Sequence, residues 1–261
     1  MNIDLEKIVG IAKEAGKAIM EVYNRDFDVQ EKDDKSPLTE ADLAAHRLIV
    51  AELEKLDPQL PVLSEESAKI PFEERSRWER YWLVDPLDGT REFIKRNGEF
   101  TVNIALIESG RPTAGVVHVP VHGITYFGRV GDGASKRDAR GNTTEIRVEP
   151  QRQYPARVAG SRSHAGDSLQ RFLDNIGPHE IMSMGSSLKL CLVAEGRADI
   201  YPRLGPTSEW DTGAAQAVVE AAGGKVTDLD MQELRYNTKD SLLNPHFLVF
   251  GDQLENWSKY L

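Results

Sequence analysis

Tyr81-Trp82-Leu83-Val84-Asp85-Pro86-Leu87-Asp88-Gly89-Thr90 joins an apolar, β-rich run to a stiff acidic turn. The pattern predicts a strand over 81–84 that delivers Asp85 to its end, where functional side chains of α/β proteins gather. Pro86 fixes its own φ and restricts Asp85, and Gly89 permits a tight turn with close approach of a ligand to the backbone. Asp85 and Asp88 are thereby held near each other, with the Leu87 carbonyl between them. Hard oxygen donors of this kind suit Mg2+. Thr90 can open a helix whose free N–H groups would face a phosphate. Taken alone, the six residues from Asp85 also read as a plain turn.

Outward from this run the chain alternates. Toward the N-terminus, Leu5, Ile8, Ile11, Ala12, Ala15, Ile19 and Val22 have helical spacing over 4–23. The charge run 31–35 reads as a solvated loop or hairpin tip. A second helix is predicted over 40–56, stopped by Asp57-Pro58. A short strand at 61–63 ends at Ser64-Glu65-Glu66. Downstream, 101–107, 114–119 and 124–127 are β-rich runs separated by Gly110, Pro120 and Gly123, which suits antiparallel pairing. Past the proline-broken stretch 150–155, strands are expected at 157–161, 181–184, 198–201, 225–227 and 247–250. Helices are expected at 168–175, 187–195 and 211–222. These changes of texture divide the chain into an N-terminal α+β domain, 1–149, with most candidate metal ligands, and a C-terminal α/β domain, 150–261, that completes the site.

The chain has 261 residues, 40% hydrophobic and 28% charged, as expected of a globular protein with a substantial core. Its formal net charge of -10 argues against broad attraction to nucleic acid or anionic lipid, so no nucleic-acid partner is expected. A phosphate-ester substrate would then need cations recruited locally. The single cysteine, Cys191, excludes an internal disulfide and a cysteine zinc site, and its apolar helical surroundings point to core packing. No transmembrane run or signal pattern is apparent, and a cytoplasmic location is expected. Six scattered histidines show no zinc-like pairing; His118 and His122 read as structural. There is no nucleophile elbow and no Gly-x4-Gly-Lys loop.

Other acids strengthen the reading of Asp85 and Asp88. Glu65 and Glu66 repel each other at a strand end unless a cation or water relieves them. Asp211 opens an alanine-rich helix, where a simple N-cap is the competing reading. Asp42 lies in the first turns of the second helix, where an acid is also stabilised by the helix dipole. Four acidic features at separate element ends make a metal cluster plausible.

Glu65-Glu66, Asp85-Pro86-Leu87-Asp88-Gly89-Thr90 and Trp210-Asp211-x-x-Ala214 together resemble the signature set of the inositol monophosphatase superfamily, in the right order and spacing. The resemblance implies a layered αβαβα sandwich, a mixed α/β fold of the inositol monophosphatase and fructose-bisphosphatase type. It implies a lithium-sensitive, Mg2+-dependent phosphatase in which Glu65, Asp85, the Leu87 carbonyl, Asp88 and Asp211 hold two or three ions. Thr39-x-x-Asp42 matches the segment whose Asp pairs with the motif threonine, here Thr90, to orient a metal-activated water for in-line attack. Glu65 joins Asp42 and Thr90 as a catalytic candidate.

The longer run Arg91 to Asn103 is similar to one branch, the 3'(2'),5'-bisphosphate nucleotidases of bacterial sulfur assimilation. Inositol monophosphatases usually carry Asn-Phe where this chain has Glu92-Phe93. Ser161 to His164, Gly185 to Lys189 and Tyr201 to Thr207 also resemble that branch. It implies hydrolysis of adenosine 3',5'-bisphosphate to AMP and phosphate, and acceptance of the 3'-phosphorylated sulfate donor. Asp88, Gly89, Thr90 and Asp211 would contact substrate, and His164, Ser186, Lys189 and Arg203 would donate to a 5'-phosphate or ribose. Lys189 also reads as a solvated helix residue and Arg203 as a strand cap. An inositol or sugar monophosphatase on the same scaffold, and a regulatory protein that assists RNA or transcription complexes, are the alternatives. Some relatives are assigned to the inner face of the membrane. Oligomeric state is not legible.

Overall fold

The structure is a computed structural model that describes residues 3–31, 37–160 and 166–261. Helix α1 (Leu5–Tyr23) is followed by a small antiparallel pair, β1 (Val29–Glu31) and β2 (Pro37–Thr39), which leads directly into α2 (Glu40–Leu56). A seven-stranded sheet then takes up β3 (Val62–Ser64), β4 (Arg80–Asp88), β5 (Thr101–Glu108), β6 (Arg111–Val119), β7 (Ile124–Arg129), β8 (Gly133–Arg137) and β9 (Thr143–Ile146), in that spatial order. The short helices α3 (Phe72–Arg75) and α4 (Thr90–Ile94) flank β4 in sequence. The meander from β4 to β9 is antiparallel, as the glycine and proline punctuation predicts for β5 to β7; β8 and β9, where the sequence pattern marks only turns, extend it, and within this sheet β3 and β4 run parallel.

The remaining elements are β10 (Ala156–Gly160), α5 (Asp167–Ile176), β11 (His179–Ser183), α6 (Leu188–Ala194), β12 (Ile200–Arg203), α7 (Glu209–Ala221), β13 (Lys225–Asp228) and β14 (Phe247–Phe250). Their five strands form a second sheet of order β11-β10-β12-β14-β13. The strand expected at 198–201 begins at Ile200 and continues through Pro202, which pairs with Leu248 of β14.

Strict alternation along β4 and β5 builds the layers. Trp82, Val84, Val102, Ile104 and Leu106 pack with Ile8, Ala12, Ala15 and Ile19 of α1 and Ala45 and Ile49 of α2 on the outer face. Tyr81, Leu83, Ala105 and Ile107 point to the opposite face, into a core shared with α6 and α7. Helix α6 is buried on every side, which fits its place between the two sheets. Beyond the second sheet, Phe172, Leu173 and Ile176 of α5 close a third core with Val158, Ile200, Leu248 and Trp257. The layers are α1/α2, large sheet, α6/α7, small sheet and α5, the αβαβα sandwich that the family resemblance implies. Among the described residues no helix is long and apolar enough to cross a membrane.

Candidate active site

The strand carrying Asp85 does not stop there. It continues through Asp88, and the continuation contains a bulge: Asp85 pairs with Asn103, whereas Asp88 pairs with Thr101. Three steps along β4 thus oppose two along β5. In a regular strand, residues three apart point to opposite faces. The extra residue restores the phase, so both acids lie on the inner side of the sheet with Thr101 and Asn103. Leu87 moves with the same correction to the outer core, 1% exposed. Pro86, which lacks an N–H, sits where the ladder is already interrupted.

Helix α7 brings the third acid. It starts at Glu209, two residues earlier than the sequence pattern places it, because Ser208 is the N-cap. Asp211 is therefore not a simple N-cap. It occupies the third helical position and closes a capping box by accepting the Ser208 N–H at 2.9 Å. Asp85, Asp88 and Asp211 each offer an oxygen within 4.8 Å of the others. Glu65, in the turn after β3, shares a hydrogen bond with the Asp85 carboxyl but is not part of this tightest trio.

Burial pushes the Asp85 carboxyl well above the usual range, and the neighbouring Glu65, Asp88 and Asp211 push it further. Burial and Asp88 likewise raise Asp211 to about 8. Acids packed this closely hold together only with protons or a cation among them. Clustered carboxylates form an all-oxygen donor set, which fits a hard divalent cation. The Leu87 carbonyl oxygen lies 3.4 Å from the Thr90 hydroxyl.

Asp42 and Thr90 meet as the family resemblance implies, and Asp42 is buried rather than a surface acid. Thr90 Oγ1 donates to Asp42 Oδ1 at 3.2 Å. Asp42 Oδ2 accepts the Thr39 N–H at 2.8 Å and the Thr39 hydroxyl at 2.6 Å, so the α2 capping box locks the carboxylate. Gly89, at φ 94, turns the chain from β4 into α4.

The second half supplies the opposite wall. Asp88, Gly89, Glu92, Ser186, Ser187, Lys189, Tyr201, Arg203 and Asp211 line one cavity of about 150 Å3. Tyr201 and Arg203 also border a neighbouring cavity of about 430 Å3, walled by Leu169, Pro202 and Leu204. Ser186 Oγ donates to Asp88 Oδ2 at 2.6 Å. Lys189 is 7% exposed, in a helix with no solvated face, so it is not the solvated residue its alternative reading allows. Its ammonium donates to the carbonyls of Ser186 at 2.8 Å and Met184 at 3.3 Å. Burial lowers its pKa to about 8 against the opposing pull of Asp88. Arg203 ends β12 and donates to the Pro206 carbonyl at 2.7 Å, which is the capping role its alternative reading describes, while it still lines both cavities. His164 lies outside the described residues.

Several participants escaped sequence reading. Ser187, Thr101 and Asn103 crowd Asp88, and Glu99 Oε2 accepts the Gly185 N–H at 2.8 Å. A signal for two of them existed: Thr101 and Asn103 are polar at alternate positions of an otherwise apolar run, which marks one face of the strand as a site.

Comparison with known proteins agrees with this geometry. The model of the inositol monophosphatase family matches residues 4–255. The 3'(2'),5'-bisphosphate nucleotidase CysQ of Salmonella typhimurium is 50% identical over 247 residues, covering 94% of this chain and 98% of that protein. The nucleotidase CysQ of Haemophilus influenzae is 38% identical and covers 97% and 94%. The crystal structure of CysQ from Bacteroides thetaiotaomicron, a bacterial member of the inositol monophosphatase family, superposes with a TM-score of 0.83 at 40% identity, over 95% of this chain and 97% of that one. With the family model spanning nearly the whole chain and the carboxylate trio assembled at its signature residues, the chain belongs to the inositol monophosphatase family.

Proposed function

We propose that this protein is a Mg2+-dependent 3'(2'),5'-bisphosphate nucleotidase that converts adenosine 3',5'-bisphosphate to AMP and phosphate, and the 3'-phosphorylated sulfate donor to adenylyl sulfate. The observation that carries the reading is the shared cavity: Asp88 and Asp211, which cluster with the buried Asp85, line a cavity whose wall also contains Ser186, Lys189 and Arg203. A cation-holding end and a cationic end suit a substrate with two anionic groups. The nucleotidase relatives, 50% and 38% identical, support the same choice.

Glu65, Asp85, the Leu87 carbonyl, Asp88 and Asp211 would hold the metal. Bound there, Mg2+ supplies positive charge for the phosphoryl oxygens and lowers the pKa of water. The chain does the rest. Thr90 donates its hydroxyl hydrogen bond to Asp42, which leaves a lone pair on Thr90 Oγ1 to accept a hydrogen bond from the attacking water and aim it at phosphorus. On attack the water's proton moves to Thr90 Oγ1 as the Thr90 proton moves to Asp42, and the departing ribose 3'-oxygen takes a proton from solvent water. Backbone N–H groups after Gly89 bind phosphoryl oxygens. Ser186, Lys189 and Arg203, with His164, bind the 5'-phosphate, and the adjoining 430 Å3 cavity has room for the nucleoside. Attack in line needs no covalent enzyme intermediate.

The test is phosphate release from adenosine 3',5'-bisphosphate and from inositol 1-phosphate across a Mg2+ titration. Preference for the nucleotide is expected, and preference for the inositol ester would overturn the reading.

A further inference from the structure

Three acids whose oxygens lie within 4.8 Å need something besides a cation to set their spacing. The hydroxyl of Ser187 stands where that spacing is fixed. Its Oγ lies 2.7 Å from Asp88 Oδ2 and 2.6 Å from the Asp211 carbonyl oxygen. Asn103 Nδ2 donates to the same Oγ at 2.8 Å. The Ser187 N–H also donates to Asp88 Oδ2, at 2.6 Å. Both side chains are buried, Ser187 at 2% and Asn103 at 1% exposed.

A hydroxyl carries one proton and two lone pairs. The Asn103 amide takes one lone pair, which leaves the single proton to be shared between Asp88 Oδ2 and the Asp211 carbonyl oxygen. Asp88 comes from the large sheet and Asp211 from a helix of the second half, so Ser187 bridges the Asp88 carboxylate and the Asp211 main-chain carbonyl, which sequence places far apart. The donors converge on Asp88 Oδ2: the Ser186 hydroxyl, the Ser187 hydroxyl and the Ser187 N–H. One oxygen is saturated by neutral donors and the other is left for a cation.

We propose that Ser187, oriented by Asn103, is a positioning residue for the metal centre. It sets the Asp88 carboxylate and its distance from Asp211 before the ion arrives. The inference rests on the Mg2+ reading given above. Removing a group that orients a metal ligand costs about 10- to 100-fold in metal affinity.

The experiment is the Mg2+-induced rise in Tm, measured without substrate, for the parent, Ser187→Ala and Ser187→Thr. Ser187→Ala is expected to need about tenfold more Mg2+ for half the rise, measured from its own metal-free Tm, which the lost buried hydrogen bonds lower. Ser187→Thr, which keeps the hydroxyl, is expected to recover most of the loss. In turnover, the Mg2+ requirement should move more than the KM for the nucleotide at saturating Mg2+. Should Ser187→Ala not fold, Asn103→Ala, which leaves the hydroxyl unoriented, is expected to show the same shift in smaller measure. An unchanged Mg2+ requirement in Ser187→Ala, with a normal response in the parent, overturns the assignment and leaves the Mg2+ reading standing. A parent whose Tm ignores Mg2+ overturns both.

Discussion

Asp88 is the residue on which the two halves of the site converge. Its Oδ2 is crowded with donors from Ser186 and Ser187. In Asp88→Asn the amide oxygen would take that place, which turns the NH2 group, itself a donor, toward the cation. Turnover is expected to be lost at Mg2+ concentrations that saturate the parent, with the fold kept; phosphate release and circular dichroism check this. Lys189 is a more mixed case. Its bonds to the Ser186 and Met184 carbonyls show that it also braces the turn in which Ser186 adopts φ 53. Lys189→Ala is expected to raise KM for the bisphosphate more than for a nucleotide lacking the 5'-phosphate. An equal rise for both would mean bracing is its whole role. The motif Asp85 to Thr90 was legible as a stiff acidic turn with the donor types a hard cation takes. That Asp85 and Asp88 share a face was not, because three residues of spacing predict opposite faces and only the bulge reverses that.

At the scale of elements, close approaches decide where the acids sit. Helix α7 crosses the large sheet at Gly115 of β6, where an added Cβ would stand 2.1 Å from the Ala214 carbonyl oxygen. A backbone atom cannot yield as a side chain can. Gly115→Ala is expected to cost about 2–3 kcal/mol in urea unfolding and to weaken Mg2+ binding, since α7 carries Asp211. Helix α1 crosses the other face of β6 over His118, which contacts Thr125 at 2.9 Å and lies under Gly16. Burial holds the His118 imidazole down at about 4, with the charge of Lys13 adding to the effect. The unfolded chain binds that proton near pH 6.5, about the ordinary histidine value. Between these values the unfolded state binds more protons, so this contribution is present above pH 6.5 and is lost as pH falls toward 4. His118→Gln cannot titrate and keeps a partner for Thr125. The drop in unfolding free energy from pH 6.5 to 4.5 should therefore shrink by about 2 kcal/mol in that variant. The reading of His118 as structural rested on its β-rich surroundings, and its burial agrees.

Across the whole molecule, the change of texture near residue 150 coincides with a change of sheet, from β9 to β10. The core between the sheets joins Tyr81, Leu83 and Ala105 from the first half to Leu190, Val193, Ala214 and Val218 from the second. The intact chain is expected to unfold in urea in one transition by tryptophan fluorescence and by circular dichroism alike. A fragment ending at residue 149 would expose the inner face of its sheet and is expected not to fold alone. Two separated transitions, or a stable fragment, would show that each half has a self-sufficient core. Net charge belongs to this scale too. A charge of -10 spread over the surface leaves the cavity with Lys189 and Arg203 on one wall.

The sequence by itself determined the main helices, the antiparallel run of strands from 101 to 127 and the acidic turn. All of these are set by local rules: alternation, helical spacing, and proline and glycine geometry. Tertiary structure alone decided that Asp85 and Asp88 look the same way, that Asp211 completes their trio, and that Thr101, Asn103 and Ser187 hold Asp88. The physical reason is the same each time. A bulge, a helix crossing and a buried hydrogen-bond bridge are relations between segments far apart in the chain. Their energies come from packing and desolvation, which a single segment does not carry.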